Sequence, residues 1–189
     1  MELIIGITGA SGVIYGLRLL EHLSKVPKCK THLIVSDNAK ELIVYETKMN
    51  IESMRGLADH YHENTELSAD IASGTKRTDG MVIVPCSMST AAKINCGISD
   101  NLITRTADVC LKEQRKLIIV PRETPCSTTH LKNLYELSSK GALVLPAMPG
   151  FYTKPNTLDD VVNFIVGKIM DNLDLNHNLF PRWTGDGGK

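Results

Sequence analysis

The sequence has no excess of either charge: 21 Lys and Arg stand against 21 Asp and Glu. A broad electrostatic hold on nucleic acid needs a basic face, so nucleic-acid binding is not expected. The five cysteines, Cys29, Cys86, Cys96, Cys110 and Cys126, are odd in number and form no C-x-x-C. That argues against a disulfide framework and against a zinc ribbon. No apolar run is long enough to span a bilayer, and no membrane segment is expected. Met1–Thr8 reads as a first strand rather than a signal peptide. The expectation is a soluble cytoplasmic protein with reduced thiols. Internal repeats and domain linkers are also missing. With 189 residues, 42% of them hydrophobic, the chain suits a single α/β domain over 1–189, closed by a tail at 174–189.

What is present is an alternation of apolar runs and helical patterns. Leu3–Ile7, Thr31–Val35, Met81–Val84, Leu117–Val120 and Ala142–Leu145 read as strands. Helices are expected after Gly12, over about Ala39–Thr47, through Ala91–Ile94, and over Asn101–Gln114, Thr128–Ser138 and Leu158–Asn172. Met49–Asp79 is weaker, a polar mixture expected to give short helices, one short strand and surface loops. This order predicts a doubly wound α/β fold with a mostly parallel sheet. In such sheets ligands sit outside the carboxyl ends of the strands. The stretch Val82–Pro125 therefore matters most, because its two apolar runs each meet a proline followed by polar residues.

Gly6-x-x-Gly9-x-x-Gly12 lies between the first strand and the first helix. It admits backbone amides to a phosphate, yet it departs from the dinucleotide spacing G-x-G-x-x-G. Asp37 stands where a ribose-binding acid would, which keeps a nicotinamide enzyme open. No Tyr-x-x-x-Lys pair supports one. Ser36 and Ser87-Met88-Ser89-Thr90 follow strands, where hydroxyls serve either as helix caps or as ligand contacts. Arg122-Glu123 reads either as an anion clamp beside a proton-transfer group or as a strand-end ion pair. Tyr152 is a packed aromatic or a ligand contact, and Lys168 a solvated cation or a phosphate partner. His60-x-His62-Glu63 is the nearest thing to a metal cluster. Its segment reads as surface loop, and no metal site is expected.

Several motifs together resemble one family, the UbiX-type flavin prenyltransferases, formerly called aromatic-acid or 3-polyprenyl-4-hydroxybenzoate decarboxylases. They are Gly6-Ile-Thr-Gly-Ala-Ser-Gly12, Ser36-x-x-Ala39, Pro85-Cys-Ser-Met-Ser-Thr90, Asp100-Asn-Leu102, Arg105-x-Ala-Asp-Val109, Leu111-Lys-Glu113, Arg122-Glu-Thr-Pro125, His130-Leu-x-Asn133 and Pro149-Gly-Phe-Tyr152. They occur in family order over about the first 170 residues. The resemblance implies a flavodoxin-like Rossmann three-layer sandwich that binds FMN, as a homo-dodecamer with sites at subunit interfaces. It implies transfer of a dimethylallyl group from dimethylallyl monophosphate to N5 and C6 of reduced FMN, giving prenylated FMN for a UbiD-type decarboxylase. No metal is implied.

Carried over residue by residue, the FMN contacts fall on Gly9, Ala10, Ser11, Ser36, Ser87, Met88, Ser89, Thr90 and Arg122. Donor contacts fall on Lys112, Arg122, Tyr152 and Lys168. Glu46 matches an acid near the prenyl group, and Ser11 and Glu123 resemble the proton-moving groups. Trp183 matches a tail aromatic. Lys168 stands where many relatives carry Arg; the lysine keeps the charge and loses the fork. Two other readings share the fold: an FMN-dependent cysteine decarboxylase, whose Pro-Ala-Ser-Ala-Asn-Thr segment differs from Pro85–Thr90 here, and a non-catalytic flavin carrier.

Overall fold

The computed structural model describes residues 1–185. The chain divides into two compact units, Met1–Pro146 and Ala147–Lys189, where the sequence reads as one domain.

The first unit is built on six strands: β1 (Glu2–Ile7), β2 (Lys30–Val35), β3 (His60–Glu63), β4 (Gly80–Cys86), β5 (Lys116–Pro121) and β6 (Leu143–Val144). All pair in parallel, in the order β3-β2-β1-β4-β5-β6. The central strands are apolar at nearly every position because both faces are covered. On one face Ile4, Ile34, Met81, Ile83, Leu117 and Ile119 pack with residues of α4 (Met88–Asn95), α5 (Leu102–Lys112), α6 (Thr128–Ser139) and a 3-10 turn, Asp70–Ala72. The opposite strand positions, among them Leu3, Ile5, Leu33 and Val82, are equally buried. Helix α1 (Val13–Leu23) contacts β1 and β4, and also α2 (Asp37–Thr47).

Strand order reverses beside β1, which pairs with β2 on one side and β4 on the other. That reversal opens a crevice at the carboxyl ends of β1 and β4. The expected parallel α/β fold is therefore what forms, with a sheet that is wholly rather than mostly parallel. The weak stretch at Met49–Asp79 resolves into a short helix α3 (Ile51–Arg55), β3 and the 3-10 turn. His60–Glu63, expected as surface loop, is the edge strand, completed by its long-range pairing with β2.

The second unit holds α7 (Leu158–Asn172), opened by a Thr157–Asp160 capping box. Its tail carries Phe180, which tilts against Phe164 at 5.0 Å.

Candidate functional site

Three chain turns leave the sheet at the crevice, and each is held by its own hydrogen bonds. Ser36 caps α2, its hydroxyl accepting from Ala39 N at 3.3 Å. Ser87 caps α4, accepting from Thr90 N at 3.2 Å, with the two hydroxyls 3.0 Å apart. Both serines are thus helix caps, and each hydroxyl still carries a proton it can donate. Helix α1 has no such side chain, because Gly12 stands at its N-cap with φ 103°. Its cap comes from outside: the Glu46 carboxylate of α2 accepts from Gly12 N at 2.9 Å and Val13 N at 3.2 Å. A carboxylate suits the positive end of a helix.

Thr8 staples the turn after β1 to the turn after β4. Buried at the end of β1, its hydroxyl donates to Pro85 O at 2.9 Å and accepts from Ser87 N at 2.7 Å. Thr8→Val keeps the shape and strands the Ser87 amide. An unpaired buried amide costs about 1–3 kcal/mol. The expected result is a lower denaturation midpoint in urea with an unchanged slope.

Arg122, just past β5, donates from Nε to Ser11 O at 2.9 Å and from its backbone amide to Cys86 O at 3.4 Å. It thereby joins the β5 turn to the β1 and β4 turns. The Glu123 carboxylate accepts from Thr124 N at 3.1 Å. A cavity of about 320 Å³ lies at this end of the sheet, and Gly9, Ser36, Asn38, Asn64, Ser87 and Thr90 are among the residues that line it. Backbone approach is close there: a Cβ on Gly9 would lie 2.6 Å from Asn38 Cβ. Hydroxyls, amides and helix N-termini around a bare glycine suit a phosphorylated, polyhydroxylated ligand.

Cys86, fully buried at the end of β4, has its thiol pushed up to about 12 by desolvation. It is a packing residue, not a nucleophile. Lys112 lies elsewhere. It ends α5, before the first residue of β5, and its Nζ is 3.6 Å from Glu113 Oε1. Arg122 follows the last residue of the same strand. Six strand residues span about 20 Å, so Lys112 cannot reach the crevice of its own chain.

In the second unit Tyr152 stands edge-on to Phe164 at 5.8 Å and to Trp183 at 5.7 Å. Lys168 Nζ lies 3.7 Å from Asp171, whose carboxylate is also clamped by both terminal nitrogens of Arg182 at 2.7 Å. Tyr152 and Trp183 line a small cavity with Lys154 and Arg182.

The flavoprotein family model matches residues 1–170. The flavin prenyltransferase UbiX of Thermoplasma acidophilum is 51% identical over 183 residues, covering 97% of this chain and 100% of that one. The chain belongs to the UbiX flavin prenyltransferase family. Solved structures agree. A dodecameric FMN-dependent UbiX-like decarboxylase from Escherichia coli O157:H7 matches with TM-score 0.96 and 46% identity, covering 98% of this chain and 100% of that one. A UbiX in complex with FMN and dimethylallyl pyrophosphate matches with TM-score 0.95 and 42% identity, covering 97% of each. An FMN-dependent cysteine decarboxylase shares the fold at 18% identity and TM-score 0.62.

For a UbiX-family chain the motif reading overlooked the supports of the crevice. Thr8 stands inside the glycine motif at the end of the run read as a first strand, where nothing local marks its bonds to Pro85 and Ser87. Asn64 follows β3 and accepts from Leu102 N and Ile103 N, which docks the start of α5 beside the cavity. Asn101 caps the same helix. The Asp100-Asn-Leu102 motif was the available signal for Asn101. Nothing local marks Asn64.

Proposed function

We propose that this chain transfers the dimethylallyl group of dimethylallyl monophosphate to N5 and C6 of reduced FMN, yielding prenylated FMN. The observation that carries the reading is the crevice itself: three capped turns tied by Thr8 and Arg122 around a bare glycine, in a chain of this family. When bound, the reduced flavin supplies the two nucleophilic positions. Gly9, Ala10, Ser11, Ser36, Ser87, Met88, Ser89, Thr90 and Arg122 hold it through backbone amides, hydroxyls and the guanidinium. Arg122, Tyr152 and Lys168 bind the donor phosphate, and cations there stabilise its charge as it leaves. Lys112 joins them only as a contribution to another copy's site, because its own crevice lies a strand length away. That need for a second copy goes with a homo-oligomer, and a dodecamer is the form proposed. Glu123 and Ser11 move the proton released at ring closure. Glu46, whose carboxylate holds the start of α1, is the acid assigned near the prenyl group.

The product serves a UbiD-type decarboxylase in the cytoplasm. Incubation of the protein with reduced FMN and dimethylallyl monophosphate without oxygen is expected to give a flavin heavier by one five-carbon unit. Unchanged flavin mass rejects the reading. Glu123→Gln separates an enzyme from a flavin carrier: it slows prenylation and leaves FMN retention as it was.

A further inference from the structure

The edge of the sheet holds a second cluster, away from the crevice. His32 lies on β2 and is 3% exposed, and His62 lies on the edge strand β3. The register pairs His32 with His60 and Ile34 with His62, so all four side chains share one face. That face also carries the 3-10 turn that begins at Asp70. His32 Nδ1 and His62 Nε2 stand 3.0 Å apart. The Asp70 carboxylate completes a trio whose ligand atoms all lie within 4.8 Å of one another.

The outer nitrogens also face carboxylates. His32 Nε2 meets Glu2 Oε1 at 2.8 Å, and His62 Nδ1 faces Glu66 Oε2 at 3.7 Å. With a metal ion between the rings, His32 Nδ1 and His62 Nε2 would each offer a lone pair inward, and each ring would turn its other nitrogen outward, His32 to Glu2 and His62 toward Glu66. This is the orienting arrangement seen behind metal-bound histidines.

Glu2, Glu66 and Asp70 carry three negative charges against one from Lys76, whose Nζ lies 2.7 Å from Glu2 and 3.4 Å from Asp70. A divalent ion balances the remainder. Two imidazoles and one carboxylate select a transition metal such as zinc or cobalt over magnesium or calcium. Tetrahedral ligand atoms about 2.0–2.2 Å from an ion stand about 3.4 Å apart, so the exposed Asp70 side chain would have to turn inward from Lys76 on metal binding wherever its oxygen now lies farther off.

We propose that His32, His62 and Asp70 bind one divalent transition-metal ion, with Glu2 and Glu66 as the groups that orient the two rings. The ion ties the edge strand and the 3-10 turn to β2. It stands apart from flavin chemistry, so the proposal holds or fails independently of the prenyl-transfer reading.

The test uses the full chain, untagged and stripped with chelator, titrated with Co²⁺ and followed by visible d–d absorption. Saturation at one equivalent per chain is expected, reversed by Zn²⁺, and Zn²⁺ is expected to raise the unfolding temperature. His62→Gln, Asp70→Asn and the orienting variant Glu2→Gln should each weaken Co²⁺ binding by about 10- to 100-fold, with unchanged far-UV circular dichroism. His62 is the ring to replace first, because it lies on the edge strand and the buried His32 risks the fold. Absence of saturable binding, equal affinity in His62→Gln, or cobalt–thiolate charge-transfer bands from the cysteines would each overturn the proposal.

Discussion

Arg122→Ala is expected to lower kcat/KM for flavin prenylation by about 10²- to 10³-fold while the protein stays folded. Two contacts fix the residue: its amide on Cys86 O and its Nε on Ser11 O. With Nε held, the two terminal nitrogens form a planar edge suited to two oxygens of one anion. In the proposed reaction that anion gains charge as the allylic C–O bond breaks. A fixed cation therefore contributes more in the transition state than in the bound state, and the loss should fall on kcat as well as KM. Arg122→Lys keeps the charge but cannot both hold the Ser11 carbonyl and present a fork. It should recover part of the rate, between alanine and wild type. The measurement is product mass against time without oxygen, at varied donor concentration, with far-UV circular dichroism as the fold control. Wild-type kcat/KM in Arg122→Ala would remove Arg122 from the donor site.

Much of this site was legible in the sequence because its signals are local. A glycine motif after an apolar run, and a serine three residues before the amide it caps, are short-range patterns, and the structure has Gly12, Ser36 and Ser87 at those turns. Long-range contacts were not legible. Thr8 matters through Pro85 and Ser87, and Asn64 through Leu102 and Ile103, and neither partner is a sequence neighbour. Lys112 was assigned by family resemblance, which carries no information on which copy's site it serves; a whole strand runs between it and Arg122. The edge strand His60–Glu63 failed for the same reason as Thr8. Its four polar and aromatic residues have no strand pattern of their own and gain one by pairing with β2.

Gly16→Val should produce the largest loss of stability of any single change near the crevice. Gly16 is buried in the first turns of α1, where the helix lies directly on the sheet. A Cβ there would stand 2.5 Å from the Val84 carbonyl oxygen and 2.8 Å from Ile7 Cδ1. The first obstacle is backbone, which cannot rotate away, so α1 itself must move outward. Opposing this, replacing a helical glycine gains a few tenths of a kcal/mol in propensity. Overpacking costs about 1–3 kcal/mol, and the two γ-methyls of valine place this case at the upper end. For a chain of this size each kcal/mol lowers Tm by about 2–4 °C, so a fall of roughly 6–10 °C is expected. Gly141→Ala is the control. Its glycine has φ +99° and open space around the Cβ position, so that change carries backbone strain alone, about 1 kcal/mol. If Gly16→Val lowers Tm no further than Gly141→Ala, the close contact of α1 on β4 is not rigid. The consequence reaches the ligand as well. Moving α1 outward draws Gly12 N and Val13 N away from Glu46, so FMN retention should fall together with Tm in Gly16→Val and stay unchanged in Gly141→Ala.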